Sequence, residues 1–174
     1  AAVKGYREKY KTVRDEWYRV EDAAGLAVRN PGRRYTCCSG KVTYGMSGDR
    51  RFLICRLPSG RPIRYYMPRV KTEETKIGIK DVLYVMGENP RTKKWQYLST
   101  YGGALFENIT QGTARDVMAH GMLKCEAAGF PVVLTVHDEL LSEVPDRPDF
   151  NKETFLKLMC DLPAWAKGFP VVAE

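Results

Sequence analysis

With 174 residues, 44% apolar and 28% charged, the chain has the length and composition of one folded core, or one domain and part of another. No apolar run approaches the ~18–20 residues of a membrane span, and Ala1-Ala2-Val3-Lys4-Gly5-Tyr6 lacks a signal-peptide pattern, so a cytoplasmic protein with no membrane partner is expected. The net charge of +7 fits simple solubility, yet it is unevenly placed. Residues 29–71 hold Arg29, Arg33, Arg34, Lys41, Arg50, Arg51, Arg56, Arg61, Arg64, Arg69 and Lys71 against one acid, Asp49. Such a block suits either a solvated surface or phosphate-backbone binding. The five cysteines (Cys37, Cys38, Cys55, Cys125, Cys160) are odd in number and contain no C-x-x-C pair, which points to reduced thiols rather than a zinc site.

Val3, Tyr6, Tyr10, Val13, Trp17, Val20, Ala24 and Ala27 recur every three or four residues. This spacing predicts one long amphipathic helix from residue 1 to about residue 29, stopped by Asn30-Pro31-Gly32. A helix that starts in mid-pattern, with no capping signal, suggests a piece of something longer. Residues 34–99 are β-like and rich in turns. Phe52-Leu53-Ile54-Cys55 and Ile63-Arg64-Tyr65-Tyr66-Met67 flank Pro58-Ser59-Gly60, and Val82–Met86 and Trp95–Leu98 flank Gly87-Glu88-Asn89-Pro90, two hairpin signals. The polar stretch Lys71–Lys80 between them reads as a solvated loop.

A second long helix is expected over residues 103–128, with Leu105, Ile109, Val117, Met118, Met122 and Cys125 on one side and Gly129 as its C-cap. A last helix is predicted at 150–162, capped by Asp149 or Asn151, and Val171-Val172 suggests a closing strand. This order predicts an α+β fold, an antiparallel sheet covered by helices on one face.

Between these helices, Val132–Val136 and Leu140–Val144 read as buried strands joined at His137-Asp138-Glu139. Adjacent residues of a continuing strand point to opposite faces, so Asp138 and Glu139 can approach one cation only at a turn. Alone, the tripeptide is equally an aspartate capping its own turn. On the preceding helix, Asn108, Gln111 and Arg115 form a polar stripe, and Gly112 beside Thr113 leaves room for close approach. The stripe is either a solvated face or a set of donors for the minor groove, whose acceptors are nearly the same for every base pair.

Gln111-Gly112-Thr113-Ala114-Arg115-Asp116, followed across residues 117–135 by Val136-His137-Asp138-Glu139, resembles the C-terminal part of the polymerase region of family A (DNA polymerase I-like) DNA polymerases. Tyr101-Gly102-Gly103-Ala104-Leu105-Phe106-Glu107-Asn108-Ile109 is most similar to the phage and prophage branch. The resemblance extends to Tyr6–Tyr10, Trp17, Leu57–Arg61 and Leu162–Glu174, and more loosely to the strands between.

The resemblance implies the last part of the fingers region at 1–100 and the C-terminal half of the palm at 101–174. It makes Asp138 the motif C metal ligand, Glu139 its carboxylate neighbour, and His137 a residue near the primer 3′ end. Gln111 and Asn108 would face the duplex, with Arg115 holding the same helix or the primer strand. The implied reaction is template-directed dNTP addition with two Mg²⁺ ions.

Two signatures of that family are missing from these 174 residues, the D-Y-S-x-I-E-like strand of motif A and the R-x-x-x-K-x-x-x-F/Y-G fingers helix. Asp81, Glu107 and Asp116 lack the strand context to replace the first. The chain is therefore expected to be inactive alone and to need the remainder of the polymerase polypeptide. A stand-alone DNA-binding remnant and one half of a split polymerase are the other readings.

Overall fold

The first two helices exist because apolar residues recur at helical spacing, but the single helix expected over 1–29 is two. The computed structural model, which describes residues 2–75 and 78–174, has α1 at Ala2–Lys9 and α2 at Lys11–Arg29. Tyr10 leaves the helical region (φ −111°, ψ 56°) while Tyr6 packs its ring 4.8 Å from Tyr10 and 6.2 Å from Trp17. No Gly or Pro marks that bend, so the periodicity runs through it unbroken. The stop at Asn30-Pro31-Gly32 is where expected: Asn30 donates its backbone and side-chain N–H groups to the Leu26 carbonyl, each at 2.9 Å, and Gly32 turns the chain at φ +95°.

Six strands follow as an antiparallel meander in chain order: β1 (Arg34–Cys37), β2 (Val42–Met46), β3 (Phe52–Arg56), β4 (Pro62–Thr75), β5 (Gly78–Glu88) and β6 (Trp95–Thr100). Both hairpins read from the sequence are present. The loop expected at Lys71–Lys80 is instead the far end of the β4–β5 ladder, pairing Lys71 with Val82, Thr72 with Asp81 and Glu73 with Lys80; Lys76 and Ile77 lie outside the described residues. Apart from Val82 those positions are polar, so the period-two apolar signal is missing even though the ladder continues. Thr72 donates to Asp81 at 2.7 Å, Asp81 pairs with Arg29 of α2, and Lys80 lies 3.4 Å from Glu21.

Val42, Tyr44, Leu53, Cys55 and Leu83 form the buried face of the sheet. Val20, Ala23, Ala24 and Ala27 of α2 close over them, and small alanines let the helix lie close. Leu105 and Ile109, from the start of α3 (Gly102–Ala127), complete this core. Tyr44 is fully buried, and among the described residues its hydroxyl makes no well-formed hydrogen bond, although the weak Cys55 thiol lies beside it; burial pushes the phenol well above its ordinary range.

The chain divides into two compact units, one up to Thr110 and one from Gln111 to Glu174, with the division falling inside α3. In the second unit α3 is closed off two residues past its end by Gly129 (φ +86°), and Phe130 N–H returns to the Cys125 carbonyl at 2.9 Å. Phe130 is buried between the rings of Phe150 (5.1 Å) and Phe155 (5.4 Å). The last helix is shorter than expected, α4 at Lys152–Met159, and its cap is Asn151, which accepts from Thr154 N–H at 2.9 Å. Asp149 pairs with Arg147 instead. Val171-Val172 forms no strand: Val172 is exposed and no neighbouring strand pairs with it among the described residues. The fold is α+β, and no described helix is long and apolar enough to cross a membrane.

Candidate active site

The tripeptide singled out in the sequence sits at the tip of a hairpin in the second unit. Strands β7 (Val132–Val136) and β8 (Glu139–Ser142) are closed by the pair Val136 and Glu139, which leaves His137-Asp138 as a two-residue turn. Two-residue hairpin turns require positive φ at the first central residue, and His137 has φ +53°. Histidine tolerates that region better than β-branched residues do. The turn thus explains why Asp138 and Glu139 are not simply on opposite faces of one strand.

All three side chains are exposed, and among the described residues none makes a hydrogen bond or ion pair. Two adjacent carboxylates without a partner are hard oxygen donors of the kind a divalent cation takes. Their number falls short of a coordination shell, because no group of three or more His, Cys, Asp or Glu placed to hold a metal exists among the described residues. Asp138 and Glu139 fit as part of a ligand set, not as a complete one.

The strands beneath the tip are not buried as expected. Val133, Leu134, Val136 and Leu141 are all about half exposed, and the sheet has two strands only. An apolar run predicts strand correctly but cannot say whether anything covers it.

Asn108, Gln111 and Arg115 are exposed on α3, three and four residues apart. Their side chains are occupied differently. Asn108 donates to the Tyr65 hydroxyl at 3.1 Å, tying α3 to the sheet of the first unit, and burial pushes that phenol up to about 12. Arg115 places Nη1 3.2 Å from Met118 Sδ. Gln111 makes no hydrogen bond among the described residues, and no bond joins Gln111 or Arg115 to the hairpin tip there. Of the spare acids, Asp81 does lie in a strand, β5, contrary to the sequence reading, where the Thr72 hydroxyl and the Arg29 guanidinium hold it below the usual carboxylate range; Glu107 and Asp116 lie on α3.

Sequence reasoning registered the basic block but missed the aromatic residues woven into it. Arg69 lies 3.3 Å from the Tyr97 ring centroid and 5.7 Å from that of Tyr84, and Arg51 lies 5.5 Å over Tyr66. These partners come from different strands, so only the pairing register brings them together.

An α+β segment with paired carboxylates on an exposed turn has a known relative. The chain is 36% identical over 174 residues to a DNA polymerase of Bacillus phage SP02, in an alignment covering 99% of this chain and 25% of the phage protein. It therefore spans about a quarter of the length of the curated relative it matches. No protein-family model and no solved structure matches the chain.

Proposed function

We propose that the chain is part of the polymerase region of a family A DNA polymerase of phage type, with residues 1–100 from the end of the fingers and 101–174 from the palm. The observation that carries the proposal is the 36% identity to a phage DNA polymerase along essentially the whole chain. The hairpin tip supports it, since Asp138 and Glu139 are exposed and have no partner among the described residues.

On this reading Asp138 and Glu139 would hold Mg²⁺ together with carboxylates from the remainder of the polypeptide. When bound, the metal supplies charge stabilisation for the attacking and leaving oxygens of an in-line displacement. Asp138 stands on the turn that the β7–β8 ladder closes, which places its backbone at the hairpin tip. His137 would lie near the primer 3′ end. Gln111, with its amide unengaged, and Arg115 would contact the primer–template duplex from the minor-groove side, where amide and guanidinium donors meet similar acceptors at every base pair. Asn108 would add to that surface through the second amide N–H that its bond to Tyr65 leaves over.

Primer extension tests the proposal. The 174-residue chain is expected to add no dNTP to a primed template with Mg²⁺, while a longer protein that includes the D-Y-S-x-I-E segment extends it. In that longer protein Asp138→Ala should lower kcat on the order of 10³-fold, equivalent to about 4 kcal/mol of lost charge stabilisation, with little change in dNTP KM. Unimpaired extension by the Asp138→Ala protein would overturn the assignment. Extension by the 174-residue chain that Asp138→Ala abolishes would overturn its inactivity alone.

A further inference from the structure

The register of the six-stranded sheet sets one row of side chains across four neighbouring strands: Phe52 opposite Tyr66, Tyr66 opposite Met86, and Met86 opposite Tyr97. Directly opposed residues share a face. The alternate positions Leu53, Cys55 and Leu83 form the core under α2, so this row lies on the other face. None of its four residues is buried. Phe52 and Tyr66 are in ring contact at 5.3 Å, and the row runs across strands spaced at about 4.8 Å.

Cations flank the row on both sides. One step along the strands, Arg34, Gly45, Ile54 and Arg64 are opposed in turn, so that row has an arginine at each end, and both arginines are exposed. On the other side Arg69 is opposed to Tyr84 and reaches back over the Tyr97 ring at 3.3 Å. Acids beside this face are already engaged, Glu73 accepting from the Tyr84 hydroxyl at 2.8 Å, Glu88 lying 3.4 Å from Lys93 and Asp49 accepting from the Ser47 hydroxyl at 2.6 Å.

A stripe of rings with Arg34 and Arg64 on one side and Arg69 on the other fits a chain that offers flat bases and anionic linkers together. A free phosphate or a generic polyanion would use the arginines and leave the rings idle. A duplex hides its base faces in the stack. An unpaired strand presents both.

We propose that this open face binds single-stranded DNA, with bases stacked on the Tyr66–Tyr97 row and phosphates on Arg34, Arg64 and Arg69. The surface is independent of the hairpin carboxylates. The choice of DNA over RNA does rest on the polymerase reading.

The test is fluorescence anisotropy of a labelled oligothymidylate of about 15 nucleotides, within the usual range of single-strand site sizes, titrated with the 174-residue chain. Tyr66→Leu and Tyr97→Leu keep apolar bulk while removing a ring, and each should weaken binding roughly 5- to 150-fold, the loss of one stacked base. Arg34→Ala and Arg64→Ala, at exposed positions, should weaken binding and lower the salt slope by about one charge each. Lys157→Ala, an exposed lysine of α4, removes the same charge elsewhere and should leave binding unchanged.

Ring variants that bind as tightly as the unmodified chain, with unchanged circular dichroism, would overturn the proposal, as would tighter binding of a duplex or no binding at all. Tighter binding of oligouridylate than oligothymidylate would overturn the choice of DNA and count against the polymerase reading, while ring dependence would still mark the surface.

Discussion

Gly102 begins α3 against the backbone of α2, and replacing it with alanine should be the most damaging one-methyl change in the first unit. A Cβ built there would lie 1.9 Å from the Trp17 carbonyl oxygen and 2.6 Å from its carbon. Both are backbone atoms, so neither can rotate away, and one helix must retreat by about 1 Å, an overpacking that costs about 1–3 kcal/mol. The retreat also stretches the bond from Gly102 N–H to the Glu21 carboxylate, now 3.0 Å. Hydrogen bonds to charged groups contribute about 1.5–3 kcal/mol. Alanine's better helix propensity returns at most about 1 kcal/mol. The expected net loss is about 3 kcal/mol, a large share of a stability of order 5–15 kcal/mol.

Urea denaturation followed by circular dichroism measures this loss, and two neighbouring glycines make it diagnostic. At Gly103 the close approach would be to the Tyr101 ring edge, at 2.8 Å, which can swing aside, with the Trp17 ring at an ordinary 3.9 Å, so Gly103→Ala should cost less than about 1 kcal/mol. At Gly25, inside α2, nothing lies within 4 Å, so Gly25→Ala should stabilise by about 0.5–1 kcal/mol. A Gly102→Ala loss below about 0.5 kcal/mol, or a loss equal to that of Gly103→Ala, would refute the close approach of the two helices.

Tyr44→Phe removes a buried hydroxyl that lacks a well-formed bond and should be neutral or stabilise by up to about 1 kcal/mol in the same assay; a loss above about 1 kcal/mol would mean the hydroxyl is well bonded. Asp81 has a depressed pKa, so its contribution is present above the unfolded value near 3.8 and is lost as pH falls through the lower folded value. Asp81→Asn should therefore flatten the acid side of the stability–pH curve, and an unchanged slope would refute the Thr72 and Arg29 contacts as its cause. All five cysteines are free thiols, and burial pushes Cys55 up to about 11 and raises Cys125. Iodoacetamide at mildly alkaline pH should label half-buried Cys160 before either, as read by mass spectrometry, and equal rates would contradict that burial.

The elements most legible in the sequence were those whose pattern and punctuation agree. The 103–128 helix had both its apolar side and its glycine stop, and the hairpin around Pro58-Ser59-Gly60 had apolar runs joined by turn residues. The bend at Tyr10 was silent because no glycine or proline marks it. The Lys71–Lys80 strands were silent because cross-strand polar pairs replace apolar alternation there. At the candidate site, turn chemistry placed His137-Asp138-Glu139 at a tip, but the exposure of the strands beneath depends on what packs against them, which no local pattern encodes. The aromatic row was invisible for a similar reason, since Phe52, Tyr66 and Tyr97 become neighbours only through register.

The β7–β8 hairpin has a consequence for how the protein behaves at working concentrations. With two strands it has no inner strand, so each has an edge that no other strand pairs with among the described residues, beside half-exposed Val133, Leu134, Val136 and Leu141. Isolated two-stranded sheets are marginal in water, and free apolar edges template further pairing. The segment that carries the carboxylates is therefore also the one through which copies of this chain would self-associate. Light scattering of the concentrated chain should rise first, and a lysine at Val133 should suppress it.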